Sequence, residues 1–235
     1  MEQGNWFDPA LGIEGVERDP GDPIVLDINL KGIVLLARIA CQYLAYGNEQ
    51  AKDDKSIVFL SFLAGFLGTP GIPLYQTSKH GVLGLMRSLR SSTPTAFHGL
   101  RVNAVCPSFV RTGMTKSFED MWCAKGLPVN EPDDVAALAV GLCAAGPGSN
   151  CLSTPLGEGS SGKELLGSNA PGMTKWNEHQ GLHGRAMYIE GGRSWDIEEG
   201  LDLTMPLWMG KGPAERMKGS ANAVGRVDWV KPTEK

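Results

Sequence analysis

Tyr75-Gln-Thr-Ser-Lys79 is the stretch on which the reading of this chain turns. Residues four apart lie on one face of a helix, one above the other. From Leu74 to Leu89, apolar residues recur at helical spacing (Val82, Leu85, Met86, Leu89), so the pair is expected on a helix over 74–89. A free phenol titrates at about 10, too high for good acid–base work at neutral pH. An ammonium one turn away favours the phenolate and is expected to lower that value. The pair then serves as proton donor and acceptor for an alcohol or a carbonyl. The same spacing occurs on any surface helix with a solvated lysine, so the flanking segments have to decide.

Upstream, Ser56 to Ser61 (SIVFLS) is a short apolar run rich in β-branched and aromatic residues, read as a buried strand. From Phe62 to Pro73 the chain turns under Gly and Pro control. Downstream, Arg101 to Cys106 is the next strand, and Pro107 to Lys116 a loop. Asn130-Glu-Pro-Asp-Asp134 opens a further helix, with Pro and acids suited to its first turn. Asp27 to Tyr46 carries apolar residues on nearly every face, which predicts burial on more than one side. One side would meet the sheet; the other would meet a partner subunit or an intramolecular core. Residues 1–23 lack periodicity and read as loop. Gly81 and Gly84 would allow another backbone to approach the 74–89 helix. Strands alternating with helices make this an α/β chain.

The 235 residues fit one domain, with a formal net charge of −4 and a pI near 5.6. An acidic chain is not expected to take nucleic acid as a partner. No apolar run is long enough to span a bilayer, and the polar, acidic start is unlike a secretory signal. A cytoplasmic protein is therefore expected. Its five cysteines (Cys41, Cys106, Cys123, Cys143, Cys151) form no Cys-x-x-Cys pair, so reduced structural thiols are expected rather than a metal site. The four histidines do not cluster, and His80 reads as a packing residue or a support behind the site rather than a catalytic one.

Taken in order, these segments resemble the short-chain dehydrogenase/reductase family, in wording closest to its fungal members. The pattern is strand, Leu63-Ala-Gly65 loop, Tyr75/Lys79 helix, Arg101-Val-Asn strand, then Pro107 with Val110-Arg-Thr112. Asp27-Ile-Asn29-Leu-Lys-Gly32 is similar to the family's Asn-containing helix, and Gly184 to Gly192 to its last sheet strand. The resemblance runs from about residue 27 to residue 192. It implies strands five to seven of a Rossmann-like, doubly wound parallel sheet. It further implies NAD- or NADP-dependent interconversion of a secondary alcohol and a ketone on a small-molecule substrate, in the setting of secondary metabolism. Tyr75 would transfer the proton, Lys79 would lower its pKa and hold the nicotinamide ribose, and Asn29 would position a water. Pro107, Val110 and Thr112 would fix the carboxamide end of the cofactor. Family members assemble, which implies a homo-oligomer through helices 27–46 and 74–90.

Four departures accompany the resemblance. No Gly-rich turn between a strand and a helix precedes Asp27, so the chain reads as a single incomplete domain over 1–235 that lacks the N-terminal, phosphate-binding half. The family's catalytic serine, thirteen residues before the tyrosine, is Phe62 here, and Ser61 would point to the opposite face of the strand. Ser108 replaces the glycine after Pro107. Residues 146–182 are rich in Gly, Ser, Asn and Pro and read as a disordered insertion. Residues 193–235 form a tail that in the family helps to shape the substrate pocket. Two alternatives to an active enzyme stay open: a non-catalytic relative acting as an oligomerisation or regulatory module, or an incomplete gene product.

Overall fold

A four-stranded sheet in the order β1-β2-β3-β4 organises the computed structural model, which describes residues 7–19, 21–147 and 181–224. The strands are β1 (Ser56–Leu60), β2 (Arg101–Pro107), β3 (Ala186–Glu190) and β4 (Arg193–Asp196). The first three run parallel, with Phe59 opposite Ala104 and Ala104 opposite Ala186. β4 returns antiparallel, with Trp195 opposite Tyr188. Every residue of β2 is buried, as expected for a strand covered on both faces.

Successive side chains of β2 point to opposite faces, and so define two cores. Val102, Ala104 and Cys106 face Phe59, Val82, Leu83 and Met86. Val105 faces Leu138 and Leu142 together with Met187 and Ile189. The helices that cover these faces are α2 (Gly32–Ala45) and α3 (Pro73–Leu89) on the first, and α5 (Pro132–Ala144) on the second. The other helices of seven or more residues are α1 (Gly12–Arg18), α4 (Lys116–Ala124), α6 (Ile197–Met209) and α7 (Lys211–Val224).

Three local expectations are corrected. The stretch read as loop before residue 23 contains a 3₁₀ turn, Pro9–Leu11, capped by Asp8, and then α1. Its apolar residues are outward-facing, so no amphipathic signal marks it. Helix α2 buries Ala37 and Cys41, while Leu35, Leu36, Ile39 and Tyr43 are exposed, so among the described residues its second side meets no intramolecular core. Gly81 does admit a neighbour, since a Cβ there would lie 2.6 Å from Leu30 Cδ1, but one at Gly84 would meet nothing within 4 Å.

Arg101 ties the two cores to the chain ends around residues 148–180. Its guanidinium pairs with Asp54 at 2.7 Å and donates to the carbonyls of Leu142, Cys143 and Leu182. Asn103 donates to the Leu182 carbonyl and accepts from Arg185 N–H. The Arg-Val-Asn segment is therefore a fastening for the sheet. The expected insertion at 146–182 lies for the most part outside the described residues, as does the end of the 193–235 tail.

The tail begins as β4 and continues into α6. Asp196 caps that helix by accepting from Glu198 N–H and Glu199 N–H. Glu198 is buried between Arg87 of α3 and Arg90 at that helix's C-cap, at 2.8 and 2.7 Å. This cluster locks the tail against the Tyr75/Lys79 helix.

Candidate active site

Pro73 sits in the first turn of α3, where its missing N–H costs nothing, and the helix carries Tyr75 and Lys79 one turn apart. Lys79 Nζ lies 5.4 Å from the centre of the Tyr75 ring. It donates to Leu60 O at the end of β1, at 3.1 Å. Among the described residues, Lys79 has no carboxylate partner and the Tyr75 hydroxyl has no hydrogen bond. The expected pair is thus on one face and close together.

The electrostatics reverse the expectation. Burial pushes the Tyr75 phenol above its ordinary value, with no compensating pull from Lys79. Burial likewise lowers Lys79, an effect that neighbouring Cys106 partly opposes. Desolvation disfavours the charged form of each group, so it drives a phenol up and an amine down. The Cys106 thiol, behind them on β2, is pushed up to about 12 by burial.

Phe62 occupies the position expected for a serine. Its ring meets Tyr75 edge-on, with centroids 5.6 Å apart and planes at 70°. Ser61 points away as expected: its hydroxyl donates to the Lys79 carbonyl at 2.9 Å. Gly65 is what permits this, because a Cβ there would lie 2.5 Å from Ser61 Oγ. Ser61 thus braces α3 against the strand end and is not free to meet a substrate.

Asn29 lies in a π turn, Asp27–Lys31, that leads into α2 and packs against α3. Single π turns in helices are frequent at functional sites. The Asn29 amide has no hydrogen-bond partner among the described residues. His80 is exposed, with Nδ1 3.0 Å from Gln76 O, so of its two expected roles the packing one is not seen. A shallow depression of about 470 Å³, lined by Thr69, Gln76, Thr77 and His80, opens on a different side of α3 from Tyr75.

The loop after β2 is held by residues that carried no signal in the sequence. Asn130 is fully buried and its amide reaches Ser108 Oγ at 3.0 Å and the carbonyls of Phe109 and Ile189 at 3.1 Å. Its own carbonyl oxygen accepts from Gly192 N–H. Ser108, in place of the expected glycine, is therefore a partner of Asn130. Thr115 Oγ1 donates to Val110 O at 2.5 Å and accepts from Thr112 N–H at 3.0 Å. These bonds set the positions of Pro107, Val110 and Thr112. Val110 N–H is left without a partner among the described residues. Arg111 bridges Glu119 and Glu131 across the outside of the loop.

Residues 23–122 match a family model described as short chain dehydrogenase. The chain is 29% identical over 210 residues to the short-chain dehydrogenase/reductase prx4 of Penicillium rubens, covering 89% of this chain and 57% of that protein. It is 34% identical over 121 residues to ascJ of Acremonium egyptiacum, another short-chain dehydrogenase/reductase, covering 52% and 40%. Human 15-hydroxyprostaglandin dehydrogenase [NAD(+)] is 31% identical over 113 residues, covering 48% and 42%. The chain thus spans about half the length of the curated relatives it matches. In structure it is similar to 3-hydroxyacyl-CoA dehydrogenase type-2 from Mycobacterium avium, with a TM-score of 0.52 at 21% identity, covering 74% and 57%. That likeness shows the fold, a Rossmann-like parallel sheet. Among the described residues no helix is long and apolar enough to cross a membrane. The Tyr75/Lys79 helix, the Arg101 strand and the Val110 loop all fall, in the family's order, within the matched residues, and over this stretch the chain is similar to the short-chain dehydrogenase/reductase family.

Proposed function

We propose that this chain takes part in NAD(P)-dependent interconversion of a secondary alcohol and a ketone on a small-molecule substrate, in the cytoplasm and in fungal secondary metabolism. One observation carries the reading: among the described residues, a Tyr75 hydroxyl without a hydrogen bond and a Lys79 ammonium without a carboxylate share a face at the end of β1, beside the end of β2 from which the Val110 loop departs. The similarity to Penicillium and Acremonium proteins supports the metabolic setting.

The residues present fit the nicotinamide end of the cofactor. Lys79 has one of its three N–H donors engaged, and Val110 N–H has no partner among the described residues. Lys79 would hold the ribose, and Pro107, Val110 and Thr112 the carboxamide. When bound, the nicotinamide supplies or accepts the hydride. The protein's share is the proton. Tyr75, held protonated by its burial, gives a proton to the substrate oxygen, which suits ketone reduction. Asn29, whose amide has no partner among the described residues, orders a water that returns the proton to Tyr75.

The Phe62 ring favours a second reading. With Phe62 against Tyr75 and Ser61 bonded to Lys79 O, no side chain at these two positions donates to a substrate oxygen, as in a non-catalytic relative. Losing one such donor costs about a hundredfold to a thousandfold in rate. In either reading, the exposed apolar stripe Leu35, Ile39 and Tyr43 supports assembly through helices 27–46 and 74–90.

Fluorescence titration with NADH and NADPH separates the two. Binding at about micromolar Kd, weakened by Lys79→Met, supports the oxidoreductase. No binding by a stable dimer in sedimentation overturns it in favour of the second reading.

A further inference from the structure

β1 leaves one side of its backbone open. Lys55 O accepts from Arg101 N–H, and Ser61 N–H donates to Val105 O. Between them, Ser56, Val58 and Leu60 aim their N–H and C=O groups away from β2. Among the described residues, nothing meets these three N–H groups or the carbonyls of Ser56 and Val58, and Lys79 Nζ holds Leu60 O. Natural sheet edges are guarded by Pro, bulges or inward charges. Ser56-Ile-Val-Phe-Leu60 has no Pro, no charge and an unbroken register with β2.

We propose that this edge pairs with the β1 edge of a second copy of the chain, antiparallel and centred on Val58. Val58 then donates to and accepts from the second copy's Val58, while Ser56 and Leu60 exchange bonds with the second copy's Leu60 and Ser56. The open groups of the strand are thus satisfied by the same residues of the other copy, which is what a two-fold axis requires. Leu60 O has a second lone pair, so it takes the second copy's Ser56 N–H without losing Lys79. The side chains match as well. Ile57 comes opposite Phe59 and Val58 opposite Val58, cross-strand pairs of β-branched and aromatic residues. Ile57 and Phe59 belong to the first core and Val58 to the second, so both cores continue across the seam. Antiparallel pairing also brings exposed Asp53, just before β1, to the strand end that carries Lys79; parallel pairing would set like ends together. The joined sheet ends on both sides in short β4, with Arg193 exposed and Asp196 bonded to Arg185, so growth stops at two copies. The exposed stripe of α2 lies opposite Ala37 and Cys41, away from the sheet, so this seam is separate from assembly through the helices.

Sedimentation equilibrium of the whole chain, with amide exchange of β1 read alongside, tests the pairing. A dimer is expected, and exchange at Ser56, Val58 and Leu60 is expected to slow as the concentration rises into the dimer range. Val58→Pro removes the N–H that faces the second copy and no bond to β2. It is expected to weaken the dimer by about thirtyfold, the effect of losing its pair of symmetry-related hydrogen bonds. Ser56→Pro, at the first position of the strand, removes the equivalent outward N–H outside either core, and replaces Val58→Pro if that variant loses its native circular dichroism. Tyr43→Glu, on the α2 stripe, is expected to leave the β1 amides protected. A monomer up to the solubility limit would overturn the proposal. So would β1 amides already protected in the monomer, since another segment would then fill the edge. A dimer unmoved by a natively folded proline variant would overturn it as well. No nicotinamide is present, so the outcome is independent of the oxidoreductase reading.

Discussion

Lys79 Nζ stands 3.1 Å from the carbonyl oxygen of Leu60, so the ammonium is tied to the end of the outermost strand and not to the Tyr75 hydroxyl. In β1 the backbone groups of Ser56, Val58 and Leu60 point away from β2, given that Lys55 O and Ser61 N–H point toward it. Lys79 closes the last of these outward carbonyls. The contact links the candidate proton-transfer residues to the state of the sheet edge.

Lys79→Met tests which force sets the phenol. Since burial and not the ammonium raises Tyr75, its high-pH transition is expected to move little in this variant. Ultraviolet titration of the phenolate band, with Tyr75→Phe to assign the transition, reads the result. A clear further rise on losing Lys79 would show that the ammonium had been holding the phenol down.

Phe62→Ser exchanges a ring against Tyr75 for a hydroxyl at the position where the family resemblance implies a donor. Loss of the half-buried ring is expected to cost about 1–3 kcal/mol in a urea melt. If the oxidoreductase reading holds, the restored donor raises kcat/KM for ketone reduction by about a hundredfold. Loss of stability with no gain in rate would show that Ser61 and Phe62 lie outside the reacting geometry.

Glu198→Gln removes the anion that Arg87 and Arg90 share. Breaking a buried pair from one side costs about 3–5 kcal/mol. Both arginines are about a third exposed, and solvent screening brings the expected loss to about 2 kcal/mol. Limited proteolysis should then cleave within α6 and α7 before it reaches the sheet. Simultaneous loss of sheet and tail would mean that the cluster holds the whole domain and not the tail alone.

His183 gives the fold a pH dependence. Its Nδ1 accepts from Val102 N–H at 3.1 Å and its Nε2–H donates to Arg90 O at 2.7 Å, an arrangement that requires the neutral ring. Burial holds its pKa below 6.5, helped by nearby Arg101, Arg90 and Arg185 and opposed by the Arg90 carbonyl. The unfolded chain therefore binds this proton more readily. Stability is full above about pH 6.5 and declines as pH falls through the lowered folded value. Melting temperatures measured from pH 7.5 to 5 should drop in the native chain and drop less in His183→Gln. Equal slopes would place the acid sensitivity elsewhere.

Much of this was legible because buried parallel strands are written as apolar runs. Ser56 to Leu60 and Arg101 to Pro107 stand out on that ground, as does the 3.6-residue period of α3. Four-residue β4 (Arg-Ser-Trp-Asp) has no run to read, and exposed α4 shows apolar residues without a core to match them. At the site, i to i+4 spacing was enough to bring Tyr75 and Lys79 together. The direction of the Tyr75 shift was hidden, because it depends on how deeply Phe62 and its neighbours enclose the phenol, and spacing carries no depth. Asn130 was hidden for a different reason. Its partners Ser108 and Ile189 are 22 and 59 residues away in the chain, and one asparagine in a helix-opening sequence looks like a cap.

One guanidinium donates to the carbonyls of Leu142, Cys143 and Leu182, and Leu182 N–H closes on Ala145 O at 2.8 Å. The two sides of the interval 148–180 are therefore stapled shut by groups that lie entirely outside it. For such a pre-joined loop, halving the length of the bypassed chain changes closure entropy by only about 0.6 kcal/mol. The junction is thus a place where a gene can gain or lose coding sequence, or an engineer can graft a cargo peptide, without the domain having to be redesigned around it.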